Sequence, residues 1–365
     1  MDIRVERVAR VLVHYSVGVK AGEWVVIRGE PAADPMIRAV YREVLAAGGL
    51  PQVVLMPSWE YYSLLRYGND EQLDFISPAE QLWFEQADVV ISISGSTNTR
   101  MLSNVALAPL QRRSRARAPL WETFMRRAAE GALRWVSTLY PTEADAQEAE
   151  MSLEEYKEFV YGAGLVDSEN AIERWQAIRE RQQRLVDWLQ GREAVHIRGA
   201  NVDLRLSIAG RTFINAAGES NFPDGEIYTG PVEDSAEGWV RFTYPALIKE
   251  REVSGIELTF EAGKVVKATA TKNEEALIGL LETDPGARYL GELGIGTNPG
   301  IQQFTRNALF DEKIQGTFHL ALGKSYPETG GVNESSIHED IVCDISDGEI
   351  LVDGEVFYRR GDFVA

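Results

Sequence analysis

GEWVVIRGEPAADPMIRAVYREVLAAGGLPQVVLM, residues 22–56, decides how the first half of the chain folds. GEWVVIRGE is a short apolar strand bracketed by glycines. PMIRAVYREVLAA, from Pro35 to Ala47, has helical spacing and stops at Gly48 and Gly49, and PQVVLM is a second strand. A strand, a helix and a strand in immediate succession predict a parallel pair, because parallel neighbours need a crossover where antiparallel ones need only a turn. DVVISISG near residue 88 and RWVSTLYP near 134 repeat the theme, each after a helical stretch. Upstream, residues 2–19 set Ile3, Val5, Val8, Val11, Leu12 and Tyr15 at helical spacing. The expectation is an α/β N-terminal domain with an open, mostly parallel sheet and helices on both faces.

Residues 142–191 are charged and helical. Trp175, Ile178, Leu185, Val186 and Leu189 make the apolar face of a helix whose start lies at Ser168 to Ala171 and whose end lies at Gly191. A domain boundary is expected near 192, which divides the chain into 1–192 and 193–365. Beyond it the texture changes. AVHIRGA, VDLRLSIAG, RTFINAAG, GEIYTGPVE, GWVRFTYPALI, GIELTFEAG and KVVKATAT follow one another with glycine and asparagine turns, the pattern of antiparallel strands. EEALIGLLETD interrupts as a helix, and GEILVDGEVFYRRG closes the chain as a hairpin. The second domain is therefore expected to be C-terminal α+β, rich in curved antiparallel sheet.

Composition narrows the function. A length of 365 residues with 44% hydrophobic and 25% charged residues fits two soluble globular domains. No apolar run approaches the roughly 18 residues of a membrane span. The N-terminal MDIRVERVARVLVHYSVGV mixes charge with apolar residues and has no small-residue cleavage site, so no signal peptide is expected. A single cysteine, Cys343, cannot form an internal disulfide and fits a reducing cytoplasm. The formal net charge is -19, and no Lys/Arg stripe interleaves with aromatics, which argues against nucleic acid. An acidic surface concentrates divalent cations and substrates carrying a free ammonium. SGSTNTR follows a strand but lacks a Gly-x-Gly-x-x-Gly motif and a Walker lysine. GELGIGTNPG places Pro299 where the third glycine belongs, so no nucleotide cofactor is expected.

Chemistry-bearing residues gather within the 115 residues from 226 to 340. They are Glu226 in NFPDGEIYTGPVED, Glu292 in GELGIG, His319 in FHLALGKSYP, and His338 with Asp340 in NESSIHEDIVCD, using two of the four histidines in the chain. Oxygen and imidazole donors in this mixture suit Zn, Co or Mn, and a carboxylate surplus with histidine is what a two-metal hydrolase needs. Period-two alternation in SSIHEDIVCD puts His338, Asp340, Val342 and Asp344 on one strand face and Ile337, Glu339, Ile341 and Cys343 on the other, so His338 and Asp340 can share one metal. Cys343 then reads as a small buried hydrophobe. Glu226 and Glu292 each follow a glycine, Gly225 and Gly291, which allows close backbone approach. Tyr326 lies just past Gly323, where its phenol can reach a metal or a developing oxyanion. Glu233, Asp234 and Glu237 are either partners of these ligands or plain loop charges.

The blocks NFPDGEIYTGPVEDSAEGWVRFTYPA, GELGIGTNP, NALFDEKIQGTFHLALGKSYPETGG and NESSIHEDIVCD, in that order, are similar to the M29 family of metallo-aminopeptidases, the aminopeptidase T or S type. The resemblance covers essentially the whole chain, loosely in the N-terminal half and closely over residues 221–344. It implies a centre of two divalent ions on Glu226, Glu292, His319, His338 and Asp340, with Tyr326 beside it and Glu312 of FDEK as a further ligand or neighbouring acid. It also implies a homodimer, a scaffold and dimerisation role for the N-terminal domain, and a C-terminal domain that holds the metals. The activity implied is release of N-terminal residues, hydrophobic ones such as leucine, from short peptides. In that chemistry Glu292 would bridge, Glu226 or Glu312 would act as general base, and Tyr326 would stabilise the oxyanion. Two other readings share these residues: a non-catalytic metal- and peptide-binding protein, and a broader metal-dependent amidohydrolase or esterase.

Overall fold

A computed structural model describes residues 2–248 and 251–364. Its contacts divide the chain into two units, Met1–Ile172 with Gly218–Pro223, and Glu173–Ala217 with Asp224–Ala365.

In the first unit, β1 (Trp24–Gly29), β2 (Leu50–Leu55), β3 (Val89–Ser94) and β4 (Arg134–Leu139) lie in the order β2-β1-β3-β4, every pair parallel. Asn221–Phe222 adds a short fifth parallel strand beside β4. Val25, Val26 and Ile27 of β1 and Val89, Val90 and Ile91 of β3 are all buried. Such runs arise where helices cover both faces of a parallel sheet, so that neither side chain direction meets water. Val26 and Val90 pack with Trp83, Phe84 and Phe124. Between β1 and β2 the chain forms α1 (Asp34–Ala46), the crossover helix that the spacing predicts, and it buries Met36, Ile37, Val40 and Val44. Each such side chain contributes roughly 1.5–3 kcal/mol on burial. The N-terminal helical stretch is α-helical over Ile3–Val11 and widens to a π-helical turn over Leu12–Ser16.

The second unit holds two large antiparallel sheets. One has eight strands in the order Lys264–Thr269, Glu257–Glu261, Glu237–Arg241, Val202–Ser207, Ala194–Gly199, Glu349–Val352, Glu355–Arg359 and Asp362–Phe363. The last hairpin is the one expected from GEILVDGEVFYRRG. The other sheet has five strands: β5 (Ile214–Ala216), β6 (Glu226–Thr229), β7 (Leu290–Gly296), β8 (Thr317–Gly323) and β9 (His338–Asp344), ordered β9-β8-β7-β6-β5. One apolar core joins them. It takes Leu204, Val240 and Leu258 from the larger sheet, Leu293, Ile295, Phe318, Leu320, Ile341 and Cys343 from the smaller one, and Leu185, Val186 and Leu189 from α2 (Ala171–Leu189). One face of the smaller sheet is thus committed to the core, and alternation leaves the other face for chemistry. Among the described residues no helix is long and apolar enough to cross a membrane.

Candidate metal centre

Four neighbouring strands of the smaller sheet each bring donors to that second face, and small residues stand opposite them. Gly296 of β7 pairs with Glu226 of β6, and Gly294 with Tyr228. Across the other edge of β7, Glu292 pairs with Ala321 and Gly294 with His319. On β9, Asp340 pairs with Ala321 and His338 with Gly323. Long side chains thus alternate across the sheet with glycine or alanine, which leaves room above the strands for them to converge. At Gly294 a Cβ would stand 2.0 Å from His319 Nε2, so the imidazole occupies the space the glycine leaves.

Glu292 reaches this face only through an irregularity. Leu290 pairs with Leu322, and both side chains belong to the core. Regular alternation would send Glu292, two residues on, to that same core face. Between Leu290 and Glu292 the register shifts by one residue, a β-bulge at Gly291 that turns Glu292 over to the donor face. A Cβ on Gly291 would meet the Lys324 carbonyl oxygen at 2.2 Å. That carbonyl accepts a hydrogen bond from His338 Nδ1 at 2.7 Å, which aims Nε2 at Glu292 and Asp340 and, in the neutral ring, leaves the Nε2 lone pair for a cation.

The five residues named from the sequence meet here. His319 Nε2 is 3.1 Å from Glu292 Oε1, 3.4 Å from Glu226 Oε2 and 4.0 Å from Asp340 Oδ1. His338 Nε2 is 3.5 Å from Glu292 Oε2 and 3.5 Å from Asp340 Oδ2. Two donor groups result, Glu226–Glu292–His319 and Glu292–His338–Asp340, each with its ligand atoms within 4.8 Å of one another. Glu292 belongs to both, with one oxygen toward each histidine. Glu226, Glu292 and His319 are buried, while His338 and Asp340 are partly exposed. Glu226 Oε2 and Asp340 Oδ1 are buried with no hydrogen-bond partner. Buried acceptors are normally satisfied. Unmet carboxylate oxygens converging with two imidazoles are a donor set that fits divalent cations.

Electrostatics point the same way. Burial raises the proton affinity of Glu226, and burial followed by the Glu312 and Glu292 charges pushes Asp340 up to about 8. Burial works against a charge on His319, but Glu292, Glu226 and Asp340 outweigh it and push the imidazole up to about 10. His338 is raised too, its burial overcome mainly by Glu292. Protons on these groups meet a demand for positive charge that a cation meets instead by displacing them.

Of the flanking residues, Glu312 lines a cavity of about 220 Å³ together with His338 and Asp340. The Tyr326 ring lies 4.7 Å from that of His338, centroid to centroid. Glu233 pairs with Arg211 and accepts the Val332 N–H, and Glu237 accepts the Ala262 N–H, so both fasten loops. Two residues that the sequence reading did not single out touch the centre directly. Lys313 is buried, with Nζ 3.3 Å from Glu226 Oε1 and a second ion pair to Glu312. Burial opposes its charge, but Glu226 and Glu312 hold the ammonium well above its usual range. Gln182 of α2 is buried and donates to the Glu226 carbonyl at 2.9 Å while accepting from Thr297 Oγ1 at 2.9 Å, so it fixes the start of β6. Neither carries a distinguishing signal in the sequence, since Gln182 sits in the charged stretch RERQQR and Lys313 beside the acids of FDEK.

The profile of a family described as thermophilic metalloprotease (M29) matches residues 1–363. The chain belongs to this family. Among its relatives, Aminopeptidase 2 of Geobacillus stearothermophilus is 29% identical over 271 residues, 63% of this chain and 65% of the relative. Aminopeptidase T of Thermus thermophilus is 28% identical over 306 residues, 74% of this chain and 73% of the relative. The chain thus spans just under two thirds of the length of the first relative and more of the second. The solved structure of wild-type AmpT from Thermus thermophilus superposes with a TM-score of 0.88 at 24% identity, covering 100% of this chain and 99% of that one, which establishes the shared fold. Membership in the M29 metalloproteases implies use of a divalent metal, and the donor set described above fits one.

Proposed function

We propose that the chain is a metal-dependent aminopeptidase that releases N-terminal residues, preferentially hydrophobic ones such as leucine, from short peptides with a free N-terminus, using two divalent ions. The observation that carries this reading is Glu292 placed between His319 and His338, with Oε1 toward one and Oε2 toward the other. Glu226 and His319 would complete the buried position, and His338 and Asp340 the outer one. Zn, Co and Mn all accept such donors. Ions held there would supply a water with its pKa lowered from about 15.7 toward about 7, polarisation of the scissile carbonyl and an anchor for the free α-amine.

The chain supplies the rest. Glu312 has Oε2 on Lys313, so Oε1 is the oxygen that takes the proton of the attacking water and returns it to the leaving amine. Glu226, the other carboxylate considered for this role, is buried within the donor set. Tyr326 beside His338 donates its hydroxyl hydrogen to the tetrahedral oxyanion. The cavity bordered by His338, Asp340 and Glu312 has an apolar wall of Pro245, Leu247, Phe304, Ala308 and Val342, which supports an apolar first side chain, with Arg306, Asp311 and Glu339 also lining it. The second unit is the catalytic one in this reading, and the first is scaffold and dimerisation surface. In the first unit, β2 is the outer strand of its sheet, with Leu50 and Leu55 more than half exposed, which supports a homodimer formed at this edge. The single free cysteine, buried Cys343, supports a cytoplasmic setting.

The deciding experiment compares a leucine arylamide with its N-acetylated form, on chelated protein and after adding back Zn, Co or Mn. Metal-restored cleavage of the free-amine substrate alone is expected. Cleavage of both substrates would instead favour an amidohydrolase, and cleavage of neither a binding protein.

A further inference from the structure

A buried ammonium beside a cation centre needs a reason, because it repels the cations that the carboxylates gather. Lys313 lies between the short helix Ala308–Asp311 and β8, and only 2% of it is exposed. Its backbone is tied on both sides: the N–H donates to the Phe310 carbonyl at 3.0 Å, and the carbonyl accepts from Asn298 N–H at 3.0 Å. The following carbonyl, of Ile314, runs so close to Gly296 that a Cβ there would meet it at 2.1 Å. Gly296 is the cross-strand partner of Glu226, so the lysine backbone is built against the strand position that faces this glutamate. Nζ then divides itself between Glu226 Oε1 and Glu312 Oε2. The other Glu226 oxygen, Oε2, is the one left buried without a hydrogen bond and turned toward His319 Nε2.

We propose that Lys313 is a positioning residue of the metal centre, which limits Glu226 to a single oxygen toward the cation and holds Glu312 beside the donor set without letting it join. A carboxylate with both oxygens free can chelate, and a second carboxylate at 15% side-chain exposure has little water to keep it away from a dication. Pinning one oxygen of Glu226 prevents chelation, and the ion pair to Nζ anchors the Glu312 carboxylate on the lysine, outside the two donor groups, which keeps the coordination number low and leaves positions for water and substrate. It also keeps Glu312 available for proton transfer. The proposal rests on the reading of Glu226 as a ligand; it does not depend on which bond the enzyme cleaves.

The test uses the full-length protein loaded with Co(II), whose visible absorption is strong in four-coordinate sites and weak in six-coordinate ones. Lys313→Met keeps the length and removes the charge, and Lys313→Arg keeps the charge. Expected for Lys313→Met are weakened, shifted cobalt bands and a kcat lower by about 10- to 100-fold, the usual effect of losing a residue that orients a ligand, with KM within about twofold. Lys313→Arg should retain the wild-type spectrum and recover much of kcat. Wild-type cobalt bands and wild-type kcat in Lys313→Met, with only a lower melting temperature, would overturn the proposal and leave Lys313 a structural ion pair. If Lys313→Met does not fold, Glu312→Gln decides: an unchanged cobalt spectrum supports a Glu312 held outside the donor set, and a spectrum that reports a lost ligand overturns it. A wild-type protein that binds no cobalt overturns it together with the metal centre. Absence of peptide cleavage with cobalt bound bears on the proposed activity alone.

Discussion

Gly294 contributes as much to the donor set as a ligand does, because the His319 ring fills the place of its missing side chain. In Gly294→Ala the new Cβ, 2.0 Å from Nε2, forces the ring away from Glu226 and Glu292. The variant should lose about 1–3 kcal/mol of stability through overpacking and about 10- to 100-fold in metal affinity; calorimetric titration of chelated protein showing unchanged affinity would refute the placement of the ring. Tyr326→Phe should keep its metal content and lose about 10²-fold in kcat if the phenol stabilises the oxyanion, and equal rates would remove it from the mechanism. Asp284 acts at a distance. It accepts the Ser336 N–H at 2.7 Å and the Ser335 and Ser336 hydroxyls, and so fastens the loop that leads into His338. The Ser336 N–H in particular draws its carboxyl from 3.8 down to about 2. A depressed folded pKa stabilises the protein above the unfolded value, and the contribution fades as pH falls from 3.8 through about 2. Asp284→Ala should therefore cost about 1 kcal/mol at pH 7, the usual size of a lost cap, and less at pH 3. Urea unfolding at both values measures it, and a gap that grows in acid contradicts the assignment. At this scale the converging glutamates and histidines were legible as candidates, since such residues stand out in apolar strands. Lys313 and Gln182 were not, because a lysine in FDEK or a glutamine in a charged helix looks like ordinary surface.

At the scale of elements, the period of the apolar residues was enough for most of the fold. β1, α1 and β2 stand where residues 22–56 predicted them, and β9 keeps Ile341 and Cys343 in the core with His338 and Asp340 on the other face. The exception is β7. LGELGIG read by strict alternation sends Glu292 and Leu290 to one side, and the bulge at Gly291 separates them. Deleting Gly291 should restore the regular ladder with Leu290 and Glu292 as neighbours on opposite faces, so that Glu292 stays opposite Ala321 on the donor face. The deletion variant should therefore keep the metal stoichiometry of wild type. Loss of metal by atomic absorption would show that Gly291 does more than reverse the alternation. The bulge could not be read from β7 alone, because its register is defined only against β8.

At the scale of the whole molecule, the first unit presents an outer strand, β2, with Leu50, Val53 and Leu55 exposed. If a second copy covers this edge, Val53→Lys with Leu55→Lys should turn a dimer into a monomer, since lysines on an edge strand oppose pairing. Sedimentation velocity distinguishes the two, and a double variant that stays dimeric places the interface elsewhere. The sequence by itself determined the order and type of the main elements, the family, which acidic and imidazole side chains converge and the face of β9, because those depend on local periodicity and on residue chemistry. Only the tertiary structure decided that Glu292 lies between both histidines, that Lys313 occupies one oxygen of Glu226, and that Gln182 anchors β6. Those facts depend on meetings between distant parts of the chain, as in the Gln182 hydrogen bond to Thr297 across 115 residues, and no local period encodes such a meeting.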